Sequence, residues 1–258
     1  MKNYELIFVS ETDSTNNLLK RMEGNTGETI VVWTDFQTAG RGCGSNTWES
    51  EPGKNLTFSI RFHPNGVAAR DQFILSMANA VALKRTLELY IDNVRIKWPN
   101  DIYWFDRKLC GTLIETSLDG PSIRNCIVGT GINVNQREFV SDAPNPVSLF
   151  QIIGHEVDRE ELLRQVVENI MTAVDGVGDG QADDIRQEYR MALYRLDEVH
   201  PYILPNGERR LFRLENVTDD GHLLLTTPDG QERHSFAFKE VQFDVSGKGF
   251  SHLPQITS

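Results

Sequence analysis

The sequence predicts an α+β fold: a mixed, largely antiparallel sheet with helices beside it, followed by a small all-β module. Three observations predict it. Two short β-rich runs, YELIFVS and ETIVVWTD, flank one helical segment near the start. Four strand-like runs then follow one another between residues 94 and 134, joined by turn residues. From about residue 197 only short strands remain, separated by Pro-Asn-Gly, Asp-Asp-Gly and Pro-Asp-Gly turns.

Taken in order, STNNLLKRME places Ser14 to cap a short helix carrying Leu18, Leu19 and Met22, giving a β-α-β start. A glycine-bearing loop, DFQTAGRGCGSNTWES, leads to the strand NLTFSIRF. In residues 70 to 90, Phe73, Met77 and Val81, with Ile74, Ala78 and Leu89, recur at helical spacing and predict the main buried helix. VRIKWP, DIYWFD, LCGTLIET and IRNCIVGTGINV read as successive antiparallel strands, with Asp106-Arg107 and Asp119-Gly120-Pro121 between them. Residues 136 to 147, with Pro144 and Pro146, read as a loop, and helices are expected at 158 to 175 and 182 to 193. EVHPYIL, RRLFRLENV, HLLLTTP and RHSFAFKEVQF close the chain. The expected division is therefore 1–196 and 197–258.

The 258 residues hold 26 Lys+Arg against 37 Asp+Glu, a formal charge of −11, which opposes broad attraction to nucleic acid and leaves room only for a local basic site. MKNYELIFVS lacks the apolar core and cleavage site of a signal peptide, and no apolar run approaches the roughly 18 residues that span a bilayer. A cytoplasmic protein without membrane partners is expected. Cys43, Cys110 and Cys126 are widely separated, with no C-x-x-C pair, and read as free thiols in a reducing compartment.

Glycine lets backbone approach a ligand closely, so G-R-G-C-G can turn several N–H groups toward an anion while Arg41 adds a forked set of charged donors. The spacing matches neither the Walker nor the dinucleotide pattern, and by itself the loop reads equally as a plain connection. KWPNDIYWFDRKLCG places Lys97, Asn100, Asp101 and Lys108 near strand ends, where they would converge with Arg41 on a polyphosphate and its metal ion. A hairpin with solvated lysines and an Asn/Asp turn fits the same residues.

These segments together resemble the biotin–protein ligases, also called biotin–[acetyl-CoA-carboxylase] ligases. The matching residues are S14-T15-N16, Q37-x-A-G-R-G-x-G44 with Trp48 behind it, K97-W-P-N-D101, R107-K-L-C-G111 with Leu113, and V128-G-T-G-I-N133. The resemblance implies a catalytic domain of the class II aminoacyl-tRNA synthetase/biotin–lipoate ligase type and a C-terminal SH3-like β-barrel. It implies activation of biotin by ATP and Mg²⁺ to biotinyl-5′-AMP, then transfer to a lysine of a biotin carboxyl carrier domain, with no protein nucleophile. Ser14, Thr15, Asn16 and Gln37 would read biotin's ureido ring. Gly40, Arg41, Gly42 and Lys108 would contact the biotin carboxylate and adenylate phosphate, with Lys97 near the same phosphate. Gly111 and Gly131 would let strands approach biotin's apolar side. Cys43, Trp48 and Asn133 would line the adenylate, and Asn100 and Asp101 would position Mg²⁺–ATP or the incoming lysine, Asp101 taking the amine proton.

The sequence departs from the family pattern in the loop, where Cys43, Ser45, Asn46 and Thr47 stand in place of further glycine and basic residues. The catalytic pattern begins within about fifteen residues of Met1, which leaves no room for the DNA-binding domain some members carry; with the acidic balance, DNA is not an expected partner. A lipoate– or octanoate–protein ligase and a non-catalytic biotin-binding regulator are the competing readings. Whether the chain forms a homodimer stays open.

Overall fold

The computed structural model describes residues 4–22, 28–44, 46–140 and 145–245. Ser45 of the glycine loop and Pro144 of the polar loop lie outside them. The chain divides into two compact units, Met1–Tyr194 with Thr218–Gly221, and Arg195–Val217 with His222–Ser258.

The first unit is built on a seven-stranded sheet. Its strands are β1 (Tyr4–Thr12), β2 (Thr29–Gln37), β3 (Leu56–Phe62), β4 (Val94–Lys97), β5 (Asp101–Trp104), β6 (Arg107–Asp119) and β7 (Ser122–Ile132). They lie in the order β1-β2-β3-β7-β6-β5-β4. Only β1 and β2 run parallel, joined through helix α1 (Thr15–Arg21); every other neighbouring pair is antiparallel. The mixed, largely antiparallel sheet expected from the sequence is therefore present.

Central β3 is buried along its whole length, yet it alternates polar and apolar residues, Thr57, Ser59 and Arg61 against Phe58, Ile60 and Phe62. With a period of two, the polar set shares one face and the apolar set the other. The apolar face packs on α2 (Phe73–Leu87) and α4 (Arg159–Gly178), which are tied to each other by Asn169 Nδ2 donating to Thr86 Oγ1 at 2.8 Å. Helix α2 is buried almost all round, and its Asn79 Nδ2 donates to Thr112 Oγ1 of β6 at 3.3 Å. Leu89 does not belong to it: the helix stops at Leu87, the spacing loses its phase, and Leu89 is exposed.

The polar face carries α1. Leu19 packs with Ile30, Val32 and Ile127, and Arg61 reaches from β3 to donate to the carbonyls of Leu19 at 3.0 Å and Met22 at 2.8 Å, capping the helix's negative end. Ser14 occupies the N-cap position with an extended backbone, but its side chain makes no capping hydrogen bond, contrary to the capping role expected from the sequence.

Helices α4 and α5 (Ala182–Met191) match the two expected late helices; α4 is capped by Asp158, which accepts from the amides of Glu160 and Glu161. A short helix between them and the sheet, α3 (Leu149–Ile153), was not expected. Its capping box, Ser148 with Gln151, follows a proline-bearing segment read as loop.

The second unit is a five-stranded sheet in the order β11-β10-β9-β8-β12, from β8 (Val199–Ile203), β9 (Arg209–Val217), β10 (Leu223–Thr226), β11 (Arg233–Phe236) and β12 (Gln242–Phe243). Tyr202, Phe212, Leu214, Leu223 and Leu225 form its core. One expectation is corrected here. RHSFAFKEVQF is not one strand: a turn with Lys239 at φ 72° divides it into β11 and β12. The sheet is also open, since β11 and β12 are its two edges and share no ladder among the described residues, so a closed barrel is not seen.

Candidate active site

The polar face of the sheet has three glycines in its floor, Gly111, Gly129 and Gly131. Register places Gly111 opposite Gly131 and Leu113 opposite Gly129 on β6 and β7, with Thr57 and Ser59 of β3 alongside. A β-carbon at Gly129 would lie 2.0 Å from Asn16 Oδ1, and one at Gly131 would lie 2.2 Å from Trp48 Cε2. Only glycine admits these neighbours at this distance.

One end of the floor is a hydrogen-bonded network around α1. Gln37 Oε1 accepts from the Thr15 amide at 2.8 Å and the Thr15 hydroxyl at 3.1 Å. Ser59 Oγ lies 2.6 Å from both Thr15 Oγ1 and Asn16 Oδ1, so its single proton is shared between two acceptors. Asn16 Nδ2 donates to Glu115 Oε2 at 2.9 Å. Ser14, Thr15, Asn16 and Ser59 are all buried. Sequence reasoning brought Ser14, Thr15, Asn16 and Gln37 to one place but missed Ser59, Glu115 and Gly129. The signal for Ser59 was readable, as a polar alternation inside an otherwise buried strand.

The other end is an ion pair. Lys108 Nζ lies 2.8 Å from Asp101 Oδ2, and its stem leans over the Gly111 floor. Lys97 faces Asp101 across the β4–β5 ladder and sets its ammonium 5.2 Å from the centre of the Tyr103 ring, within cation–π range. Asn100 is buried in the turn between those strands, after a cis Trp98–Pro99 bond, and the Pro99 carbonyl accepts from Tyr189 at 2.8 Å. Asn133 serves the frame: its Nδ2 donates to the main-chain carbonyls of Val147 at 3.1 Å and Lys108 at 3.4 Å, fixing the backbone that carries Lys108.

The glycine loop lies along β6 and spans the two ends. Trp48 N donates to Gly40 O at 3.0 Å and Gly42 N to Asn46 O at 2.8 Å, closing the loop on itself. Arg41 donates to Glu115 Oε1 at 3.0 Å and Asn17 Oδ1 at 3.0 Å, Cys43 Sγ lies 3.5 Å from Thr112 O, and the Trp48 indole covers Gly111 and Gly131. The Trp48 Nε1–H is buried without a hydrogen-bond partner.

Arg41 and Lys108 were expected on one anion, and the structure does not bring them together. Arg41 is at Glu115 and Lys108 over Gly111; at about 3.3 Å per residue those positions are roughly 13 Å apart along the strand. Burial raises the Glu115 pKa, but hydrogen bonds from Lys20, Asn16 and Arg41 together outweigh it and hold the carboxyl below its ordinary value. Among the described residues no cluster of three His, Cys, Asp or Glu side chains is placed to hold a metal ion, and no helix is long and apolar enough to cross a membrane.

A floor of glycines between a polar network and a lysine–carboxylate pair can be compared with known proteins. The profile of the biotin/lipoate A/B protein ligase family matches residues 8–133. The biotin–[acetyl-CoA-carboxylase] ligase of Paracoccus denitrificans is 32% identical over 237 residues, covering 87% of this chain and 95% of that one. The chain belongs to the biotin/lipoate A/B protein ligase family. Within the family, the bifunctional ligase/repressor BirA of Salmonella typhimurium is 30% identical over 223 residues, 84% of this chain and 68% of its own length. The structure of biotin protein ligase from Aquifex aeolicus in complex with biotin and ATP superposes with a TM-score of 0.77 at 26% identity, covering 92% of this chain and 97% of that one.

Proposed function

We propose that this chain is a biotin–protein ligase. It joins biotin to ATP as biotinyl-5′-AMP with release of pyrophosphate, then passes the biotinyl group to a lysine on the carrier domain of a biotin-dependent carboxylase. The observation that carries this reading is the floor of Gly111, Gly129 and Gly131 running from an amide and hydroxyl network to the Lys108–Asp101 pair. A urea ring has one carbonyl acceptor and two N–H donors, which Ser59, Thr15, Asn16 and Gln37 match in kind. The apolar tail then follows the glycines, and its carboxylate arrives beside Lys108.

In the first step the biotin carboxylate oxygen attacks the α-phosphorus as the bond to the pyrophosphate oxygen breaks. Two anions must be held in line, so Lys108 and Lys97 act by neutralising charge and fixing geometry. Mg²⁺ bound with ATP would offset phosphate charge, and Asn100 and Asp101 carry oxygens of the kind that would help hold it. In the second step a lysine amine attacks the acyl carbon, AMP leaves, and the amine's proton is lost; in this proposal Asp101 takes it once Lys108 turns to the ligand. Gly40, Gly42, Cys43 and Trp48 supply the cover over the adenylate, while Arg41 anchors their loop at Glu115. The residues 1–196 carry this chemistry in the proposal, and the open C-terminal sheet is the counterpart of the SH3-like module.

A lipoyl group has neither the two N–H donors nor the carbonyl, so it can make no hydrogen bonds with Ser59, Asn16 and Gln37 in exchange for those these residues make among themselves, and biotin is favoured. The test is ATP–pyrophosphate exchange together with thermal shift. Biotin-dependent exchange and a rise in melting temperature with biotin but not lipoate are expected. Stabilisation by lipoate, or no exchange with either acid, would overturn the reading.

A further inference from the structure

Glu115 has no role in the chemistry described above, yet side chains from two separate segments hydrogen-bond to its carboxylate. It lies on β6 on the same face as Gly111, four residues further along. From α1, Lys20 Nζ donates to its Oε1 at 2.8 Å and Asn16 Nδ2 to its Oε2 at 2.9 Å. From the glycine loop, Arg41 donates to the same Oε1 at 3.0 Å and approaches Oε2 at 3.5 Å. Arg41 makes a second contact with α1 through Asn17 Oδ1.

Two cations thus share one carboxylate oxygen. Their mutual repulsion is cancelled by the charge between them, in a site where the Glu115 side chain is only 22% exposed and screening by water is reduced. Replacing that charge by a neutral amide leaves Lys20 and Arg41 facing each other, and the loop is the side that can give way. We propose that Glu115 is a positioning residue that latches the glycine loop to α1, so that the amides reading the ligand and the cover above it are set as one unit. Its meaning for catalysis rests on the ligase reading, but its presence can be tested without it.

Cys43 provides that test. It lies two residues beyond Arg41, partly exposed, whereas Cys110 and Cys126 are wholly buried and burial pushes both thiols up, Cys126 to about 12. A soluble aromatic disulfide such as DTNB therefore reports on Cys43 and on the loop that carries it. In the ligand-free protein, Glu115→Gln should raise the rate of Cys43 modification about tenfold, Glu115→Asp less, and Arg41→Gln by as much as Glu115→Gln. The double variant Glu115→Gln/Arg41→Gln should be no faster than either single one, because both remove the same latch. In exchange assays Glu115→Gln should raise the KM for biotin about tenfold with kcat nearly unchanged, since Glu115 touches no reacting atom. Equal Cys43 rates in wild type and variants, or additive effects in the double variant, would overturn the proposal. Should Glu115→Gln fail to fold, Arg41→Gln carries the test, as its side chain is 40% exposed. Faster Cys43 labelling in a protein without biotin-dependent exchange would remove the ligase reading and leave the latch standing.

Discussion

The indole of Trp48 occupies the space above Gly131: a β-carbon at that position would lie 2.2 Å from Cε2 and 2.6 Å from Nε1. Cover and floor are therefore fitted to each other, and the absence of a side chain at 131 sets how deeply the loop can seat. Gly131→Ala should push the indole outward at a cost of about 1–3 kcal/mol, the usual range for overpacking. Titration calorimetry should show biotin affinity reduced about tenfold or more while circular dichroism stays native.

In the proposed mechanism Lys108 serves the first half-reaction and Asp101, its ion-pair partner, the second. Lys108→Met removes the cation that would meet the carboxylate and phosphate, and should slow ATP–pyrophosphate exchange about 10²- to 10³-fold, as loss of one preorganised donor does. Asp101→Asn should retain exchange but slow transfer from supplied biotinyl-AMP about 10²-fold or more, as loss of a general base does. Measuring exchange and single-turnover transfer side by side checks both.

Cys43 stands where the loop passes Thr112 O at 3.5 Å. A charge-assisted hydrogen bond contributes about 1.5–3 kcal/mol, so Cys43→Arg should slow the escape of biotinyl-AMP about tenfold. Filter-binding release of labelled adenylate from wild type and variant provides the comparison; equal rates would mean that position 43 does not face the phosphate.

The folded-state pKa of Glu115 lies below its ordinary value, despite burial, because Lys20, Asn16 and Arg41 hold the charged form. Its contribution to stability is therefore full above the unfolded pKa of about 4.3 and is lost as pH falls through the folded value. The difference in melting temperature between wild type and Glu115→Gln should be constant from about pH 5 to 8 and shrink below about pH 4.

Much of the fold was legible because period-two and helical spacings survive in this sequence: β3, β6, β7 and α2 all lie where their patterns place them. Elements with weak local signals were misread. Helix α3 has five residues and only its capping box to mark it, and the division of β11 from β12 depends on Lys239 adopting positive φ, which no composition announces. In the site, motifs containing glycine and lysine could be read, since close approach and charge are properties of a residue type. Ser59 and Glu115 could not be paired with Asn16 from sequence: 43 and 99 positions separate them, and only the β3–β7–β6 register brings them together.

The central claim is that the glycine floor, with its polar end and its lysine end, makes one acyl adenylate and hands the acyl group to a carrier. Incubation of the protein with ATP, Mg²⁺, biotin and a biotin carboxyl carrier domain, followed by intact mass of the carrier, measures this directly. A gain of one biotinyl group, abolished by omitting ATP and by Lys108→Met, is the predicted result. An unmodified carrier with folded protein, or a carrier modified only when lipoate replaces biotin, would contradict it.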